Sequence, residues 1–221
     1  MPLASLSLAA CSGTTSRSAE SSPSSSSMAQ MDHGSMSSPS NSSPMPMDHG
    51  SMTSMGLGPA DESFDLRFID GMIPHHEGAV AMAQEALQKS NRPEIKQLAQ
   101  AIIDAQEKEI SELKEWRTSW YPNAGDEPMM YSAEMGHMMP MTEEMRSSMM
   151  MNGDLGAADE QFDLRFINAM IPHHQGAIDM ARQALEKSNR PEIKELAQNI
   201  IDSQQQEIDQ MQQWRRDWYG Q

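Results

Sequence analysis

From Phe64 onward the apolar positions fall three and four residues apart: Phe64, Phe68, Met72, Ala79, Met82 and Ala86, with His75 in the same stripe. That spacing predicts an amphipathic helix from about Asp61 to Lys89. The run "SNRP" then breaks it. Pro93 suits the first turn of a new helix, and Glu94 complements that helix's N-terminal dipole. The second stripe runs Ile95, Leu98, Ile102, Gln106, Ile110, Leu113, Trp116 and Trp120. Each helix should be roughly 40 Å long, and matched lengths suit antiparallel packing.

The pattern then recurs. Residues 61–121 align with 159–219 without a gap, at roughly two-thirds identity. One such hairpin cannot cover its own apolar stripe, but two in one chain can cover each other. The expected fold is all-α: a four-helix bundle of two repeated helical hairpins with approximate two-fold symmetry. The chain divides into 1–60, a Ser- and Met-rich tether; 61–121, the first hairpin; 122–158, a long Met-rich connection; and 159–221, the second hairpin. The tether's low-complexity composition predicts disorder. A connection this long is either functional or disordered.

Both repeats keep a proline inside the first helix, in "GMIPHHEGA" (71–79) and "AMIPHHQGA" (169–177). An interior proline costs about 3 kcal/mol, so two cost roughly 6, against a domain stability of about 5–15 kcal/mol. The apolar phase continues unbroken across Pro74, so one bent helix is expected rather than a fresh start. The bend places His75 and His76, and with them His173 and His174, toward the interior. If the repeats pack face to face, the four imidazoles converge. Gln106, Glu109, Gln204 and Glu207 lie at mid-bundle height and can orient them.

Composition narrows the chemistry. The formal net charge is −16, which excludes the basic face that nucleic-acid binding needs. No stretch is long and apolar enough to span a bilayer. The single cysteine, Cys11, rules out an intrachain disulfide. It ends "SLSLAAC", which resembles the lipobox of bacterial lipoproteins, and a Ser-rich tether follows. The leading stretch is short and lacks a basic region, so the alternatives are an upstream start or a chance match.

Histidines on a half-buried face are often hydrogen-bonded core residues, and methionine fills irregular gaps. Met72 and Met82, with Met170 and Met180, read as core as readily as ligand. The tail and the connection are different, because they have no core to fill. "MDHGSM" occurs twice, carrying His33 and His49. The connection has ten methionines, among them Met135, Met138, Met139, Met141 and Met145, plus His137. Thioether with imidazole suits Cu(I) or Ag(I) over Zn²⁺, Mg²⁺ or Ca²⁺. The open alternatives are chance enrichment and an oxidant-scavenging role for methionine. A ferritin-type di-iron centre needs Glu-x-x-His on two bundle helices, and each repeat lacks it. Zinc by Cys/His spacing is excluded. There is no nucleophile with a base, phosphate loop or dinucleotide fingerprint, so no enzyme is expected.

"FDLRFIDGMIPHHEGAVAMA" and "FDLRFINAMIPHHQGAIDMA", each followed by "Q-x-x-E-I" and tryptophan, resemble the His-His family known as domain of unknown function 305. The tandem arrangement with a Met-rich connection is similar to its CopM-type periplasmic copper-binding members. The resemblance implies a ferritin-like bundle and copper binding for resistance or homeostasis. By position, it places the family's residues on His75, His76, His173, His174, Met72, Met82, Met170 and Met180, with a leading carboxylate at Asp65 and Asp163. Asp70, Gly71 and Glu77 become Asn168, Ala169 and Gln175, so the two half-sites need not be equivalent.

The resulting expectation is an exported, periplasmic, non-enzymatic protein, lipid-tethered if Cys11 is modified. It would sequester Cu(I), or hand it to a partner protein, with Cu(II) and Ag(I) as alternative ions. The rivals are a metal-free structural bundle and a copper-dependent oxidoreductase.

Overall fold

The structure, a computed structural model, describes residues 56–221. The expected disordered tail, with His33 and His49, lies outside the described residues. Four long helices form the bundle: α1 (Phe64–Lys89), α2 (Pro93–Trp120), α4 (Phe162–Lys187) and α5 (Pro191–Tyr219). The connection holds strands β1 (Met129–Ser132) and β2 (His137–Pro140), followed by the short helix α3 (Glu143–Met150). Among the described residues no helix is long and apolar enough to cross a membrane.

Pro74 and Pro172 lie inside α1 and α4, each of which continues past its proline, as the unbroken apolar phase implies. Pro93 and Pro191 open α2 and α5, where a missing N–H costs nothing. Helices α1 and α4 run antiparallel through the centre. As a result, each of the two apolar clusters draws on both repeats. One joins Met82, Ala83 and Ala86 of α1 and Ile95, Leu98 and Ile102 of α2 to Phe162, Phe166 and Met170 of α4 and Met211 of α5. The other joins Phe64, Phe68, Met72 and Leu113 to Met180, Ala184, Ile193 and Ile200. Neither repeat owns a core. Between the clusters lies a buried polar layer of His75, His76, Gln106, His173, His174 and Gln204.

Matching contacts lock the two ends. The Arg92 guanidinium lies 4.2 Å above the Trp218 ring and pairs with Asp163 at 3.3 Å. Arg190 stacks on Trp120 at 4.1 Å and pairs with Asp65 at 3.5 Å. Each tryptophan is itself stacked on a second one four residues earlier, Trp214 and Trp116. A cation over an indole face contributes about 0.5–2 kcal/mol, depending on desolvation.

The folded part reaches back to Leu57, before the boundary drawn at residue 61. Leu57 is buried, its N–H is donated to Gln183 of α4, and its carbonyl accepts Arg67 Nε. Leu155 is likewise buried before α4, its carbonyl accepting Arg165 Nε at 2.6 Å.

The connection carries structure that its composition did not predict. β1 and β2 pair antiparallel, from Met129 opposite Pro140 to Ser132 opposite His137. The Thr142 side chain caps α3 by accepting the Met145 N–H. This cap packs mainly on α1. Asp70, buried in α1, accepts Arg117 Nε at 2.5 Å and the Met129 N–H at 2.7 Å, pinning the hairpin to the first repeat. Burial raises the Asp70 carboxyl, the Arg117 and Met129 hydrogen bonds opposing it. Glu77 takes Arg146 of α3 at 2.8 Å. Gly78 makes room for the backbone itself: a Cβ there would overlap the Met150 carbonyl oxygen.

Candidate metal centre

Antiparallel crossing of α1 and α4 brings the two proline-flanked histidine pairs to one level. The His75 and His173 rings lie 3.9 Å apart between centroids. His76 is 6.4 Å from His75, and His174 is 6.3 Å from His173. All four are essentially inaccessible to solvent. The expected convergence of imidazoles is therefore present.

The outer helices orient two of the rings. His76 Nε2 lies 2.8 Å from Glu109 Oε2 of α2, and His174 Nε2 lies 2.6 Å from Glu207 Oε2 of α5. These glutamates are 15% and 18% exposed, so they link solvent to a dry interior. At His174 the Glu207 carboxylate accepts the Nε2 proton and leaves the lone pair on Nδ1. His173 Nε2 lies 3.0 Å from the Met150 carbonyl oxygen. A carbonyl can only accept, so here too the proton sits on Nε2.

The Nδ1 atoms of all four histidines and His75 Nε2 are buried without a hydrogen-bond partner among the described residues, and His76 Nε2, though 2.8 Å from Glu109, makes no well-aligned hydrogen bond to it. Each unmet buried polar atom costs about 1–3 kcal/mol. Four of them together rival the whole stability of a domain. An imidazole nitrogen left without a partner keeps a lone pair that an electrophile can use. Burial, and then the neighbouring imidazoles, hold His75 well below the ordinary histidine value. Burial, then His174, pushes His173 down to about 3, the Met150 carbonyl pulling the other way. His75 and His173 are thus held in the neutral form that ligates.

No group of three or more His, Cys, Asp or Glu side chains among the described residues could hold one ion. A hard or tetrahedral nitrogen-and-oxygen site is therefore not preformed. Two imidazole donors, or imidazole with sulfur, suit a soft monovalent ion of low coordination number.

The other expected ligands are placed less uniformly. Met72 and Met180 sit fully buried in one apolar cluster, and Met82 and Met170 in the other. Asp65 and Asp163 are not brought to the histidines. They lie ten residues earlier on each helix, about 15 Å away along its axis, engaged with Arg190 and Arg92. Met141 and Met145 line a cavity of about 540 Å³ between the cap and α1, with Met129, Met130 and Met149. Met138 Sδ lies 3.3 Å from Arg67 Nη1, and Met139 is partly buried. Met135 is 51% exposed, and His137, also exposed, turns Nδ1 to the Met135 carbonyl.

Three features escaped the sequence reading. The Met150 carbonyl carries no side-chain signal. The role of Asp70 was hinted at by its replacement with Asn168, which is exposed and meets Arg215 at 3.3 Å where no cap exists. The Leu57 and Leu155 anchors were legible as "LG" before each repeat.

The chain matches the family described as domain of unknown function (DUF305) over residues 13–117 and 65–215. It belongs to the DUF305 family. Among solved structures, CopM in the Cu(II)-bound form is 43% identical, with a TM-score of 0.56, covering 70% of this chain and 97% of that one. CopM in the Cu(I)-bound form is 39% identical, with a TM-score of 0.54 and the same coverage. A DUF305 fragment from Deinococcus radiodurans is 29% identical, with a TM-score of 0.51, covering 70% of this chain and 96% of that one. The uncharacterized protein L153 of Acanthamoeba polyphaga mimivirus is 47% identical over 49 residues, 22% of this chain. The aligned part spans about a third of that viral protein's length, 32%. The helical bundle expected of a DUF305 member is the one observed.

Proposed function

We propose that this DUF305 protein binds copper as Cu(I), and Ag(I) in its place, to sequester it or pass it to a partner protein in copper homeostasis. The observation that carries the reading is the buried imidazole layer with four unpartnered Nδ1 atoms, two of its rings oriented by glutamates. The CopM structures, which hold Cu(I), Cu(II) and Ag, support it.

The chemistry is coordination, not catalysis. His75 and His173 offer neutral nitrogen in a dry layer, where a weakly hydrated ion loses little on entry. The five methionines lining the cap cavity offer thioethers, among which an ion can exchange without a free thiol. Thioether survives where thiols would oxidise, which accords with export to the periplasm. Lipidation at Cys11 would then hold the protein at a membrane surface. Membrane contact is proposed only through that lipid.

A competition titration against a chromogenic Cu(I) chelator tests the proposal. The intact chain should withdraw copper from the chelator. The variant with Gln at positions 75, 76, 173 and 174 should lose the tightest fraction. If the intact chain withdraws none, the reading is wrong. Anomalous scattering from Ag(I)-soaked crystals should place silver on the imidazole layer, and its absence there would move the site to the methionines.

A further inference from the structure

The cap breaks the symmetry of the bundle. On α1, Asp70, Gly71, Pro74 and Gly78 are buried, whereas on α4 the matching Asn168 and Pro172 are exposed and Ala169 and Gly176 are half-buried. The last element of the cap, α3, is weakly rooted: none of its eight residues is buried. It ends at Met151, the only non-glycine residue among the described ones with a positive φ, 47°. A methionine in that left-handed conformation is strained, and such strain persists only where neighbouring contacts impose it. The residue before it is held through its main chain. The Met150 carbonyl sits on Gly78, where a Cβ would overlap it, and it accepts the Nε2 proton of His173. The other ties of the cap, Asp70 to the Met129 N–H and Glu77 to Arg146, involve no imidazole. The His173 bond is therefore the point where an ion in the buried layer acts directly on the cap.

His173 commits one nitrogen and leaves the other. Nε2 is spent as a donor, and Nδ1 is buried with no partner among the described residues. A cation that takes the Nδ1 lone pair draws electron density from the ring and makes Nε2–H a stronger donor. A hydrogen bond from a charged donor is roughly twice as strong as one between neutral groups, and in a dry layer water does not weaken it. His75, the symmetry mate, has no acceptor on either nitrogen among the described residues, so the effect belongs to one half-site.

We infer that α3 is a latch that loading closes: an ion on His173 tightens the bond from Nε2 to the Met150 carbonyl, and the closed latch in turn retains the ion. The inference rests on the copper reading of the imidazole layer. A ligand shifts an equilibrium only by its different affinity for the two states. Here the difference is one bond, made when the cap is seated on Gly78 and lost when it lifts. Linkage then requires the seated cap to raise the affinity for the ion by the factor by which the ion favours seating.

Hydrogen exchange of the full-length chain, with and without Ag(I), tests the latch. Amides of residues 143–150 should exchange about tenfold more slowly in the loaded protein, and the His173 Nε2 proton should move downfield. Gly78→Ala, which unseats the carbonyl, should remove both responses and weaken Ag(I) binding by the same factor at unchanged stoichiometry. Arg146→Ala, which loosens α3 from the solvent side and adds no atom to the helix packing, should weaken Ag(I) binding in the same direction. If Ag(I) binds while exchange in 143–150 stays the same, or slows equally in Gly78→Ala, the latch is overturned and the copper reading stands. Slower exchange with an unmoved His173 proton overturns it too, since the ion then sits on the cap methionines. If no Ag(I) binds at all, the copper reading and the latch fall together.

Discussion

The ring nitrogen Nε2 of His173 lies 3.0 Å from the backbone carbonyl of Met150. One contact thereby joins the buried imidazole layer to the last turn of α3, within the Met-rich connection. Movement of the cap must break or keep that bond, so the connection and the centre cannot act independently.

Gly78 is the seat of that carbonyl. In an open helix, Gly→Ala gains about 0.5–1 kcal/mol. Here the Cβ would overlap Met150 O, so Gly78→Ala should instead lower stability by about 1–3 kcal/mol. Amide exchange in residues 143–150 should quicken while the four long helices keep their protection. Unchanged exchange in α3 would show that the cap does not rest on this glycine.

Asp70→Asn copies the residue of the second repeat into the first. Asparagine keeps an acceptor for Arg117 but loses the charge that also holds the Met129 N–H. A loss of about 1–3 kcal/mol in urea unfolding is expected, with faster exchange in residues 129–140. If the hairpin stays protected, its anchor lies elsewhere.

Glu109 and Glu207 lie against imidazoles of the buried layer. Glu109→Gln with Glu207→Gln should weaken Cu(I) affinity about 10–100-fold without changing its stoichiometry. Chelator competition reads both quantities. A change in stoichiometry with unchanged affinity would make the glutamates ligands in their own right.

Acid should destabilise the protein before its carboxylates titrate. His75 and His173 have folded values below the unfolded value of 6.5. The unfolded state therefore takes up protons first as the pH falls. Stability is full above about pH 6.5 and drops below it, by up to about 1.4 kcal/mol per pH unit for each histidine. The loss through His173 ends near its folded value of about 3. Asp70, with its raised value, works in the opposite sense at lower pH. Urea midpoints at pH 7 and 5.5 should differ, and His173→Gln should flatten the slope. Equal midpoints would mean that the imidazoles are not held neutral.

The four long helices were legible because their apolar positions repeat over seven turns or more, and each proline at a helix start confirms its boundary. The convergence of His75 and His173 followed from the duplication, since a repeat that cannot bury its own stripe must meet its copy. The hairpin and α3 were not legible. Their methionines carry no strong periodicity, and they are ordered by Asp70, Glu77 and Gly78 on a helix far away in sequence. Asp65 and Asp163 show a pairing that the motif did not indicate. A motif position suggested a ligand, while the side chain is spent on an arginine at the bundle's end.

Because each apolar cluster is shared between repeats, half of this gene would encode a polypeptide with no interior of its own. Such a half could fold only against another copy, with its dyad passing between identical histidine pairs. The present chain carries within itself the contacts that two separate halves would have to make with each other. Carried in one chain, the two halves need not be identical, and the linker between them rests mainly on the first.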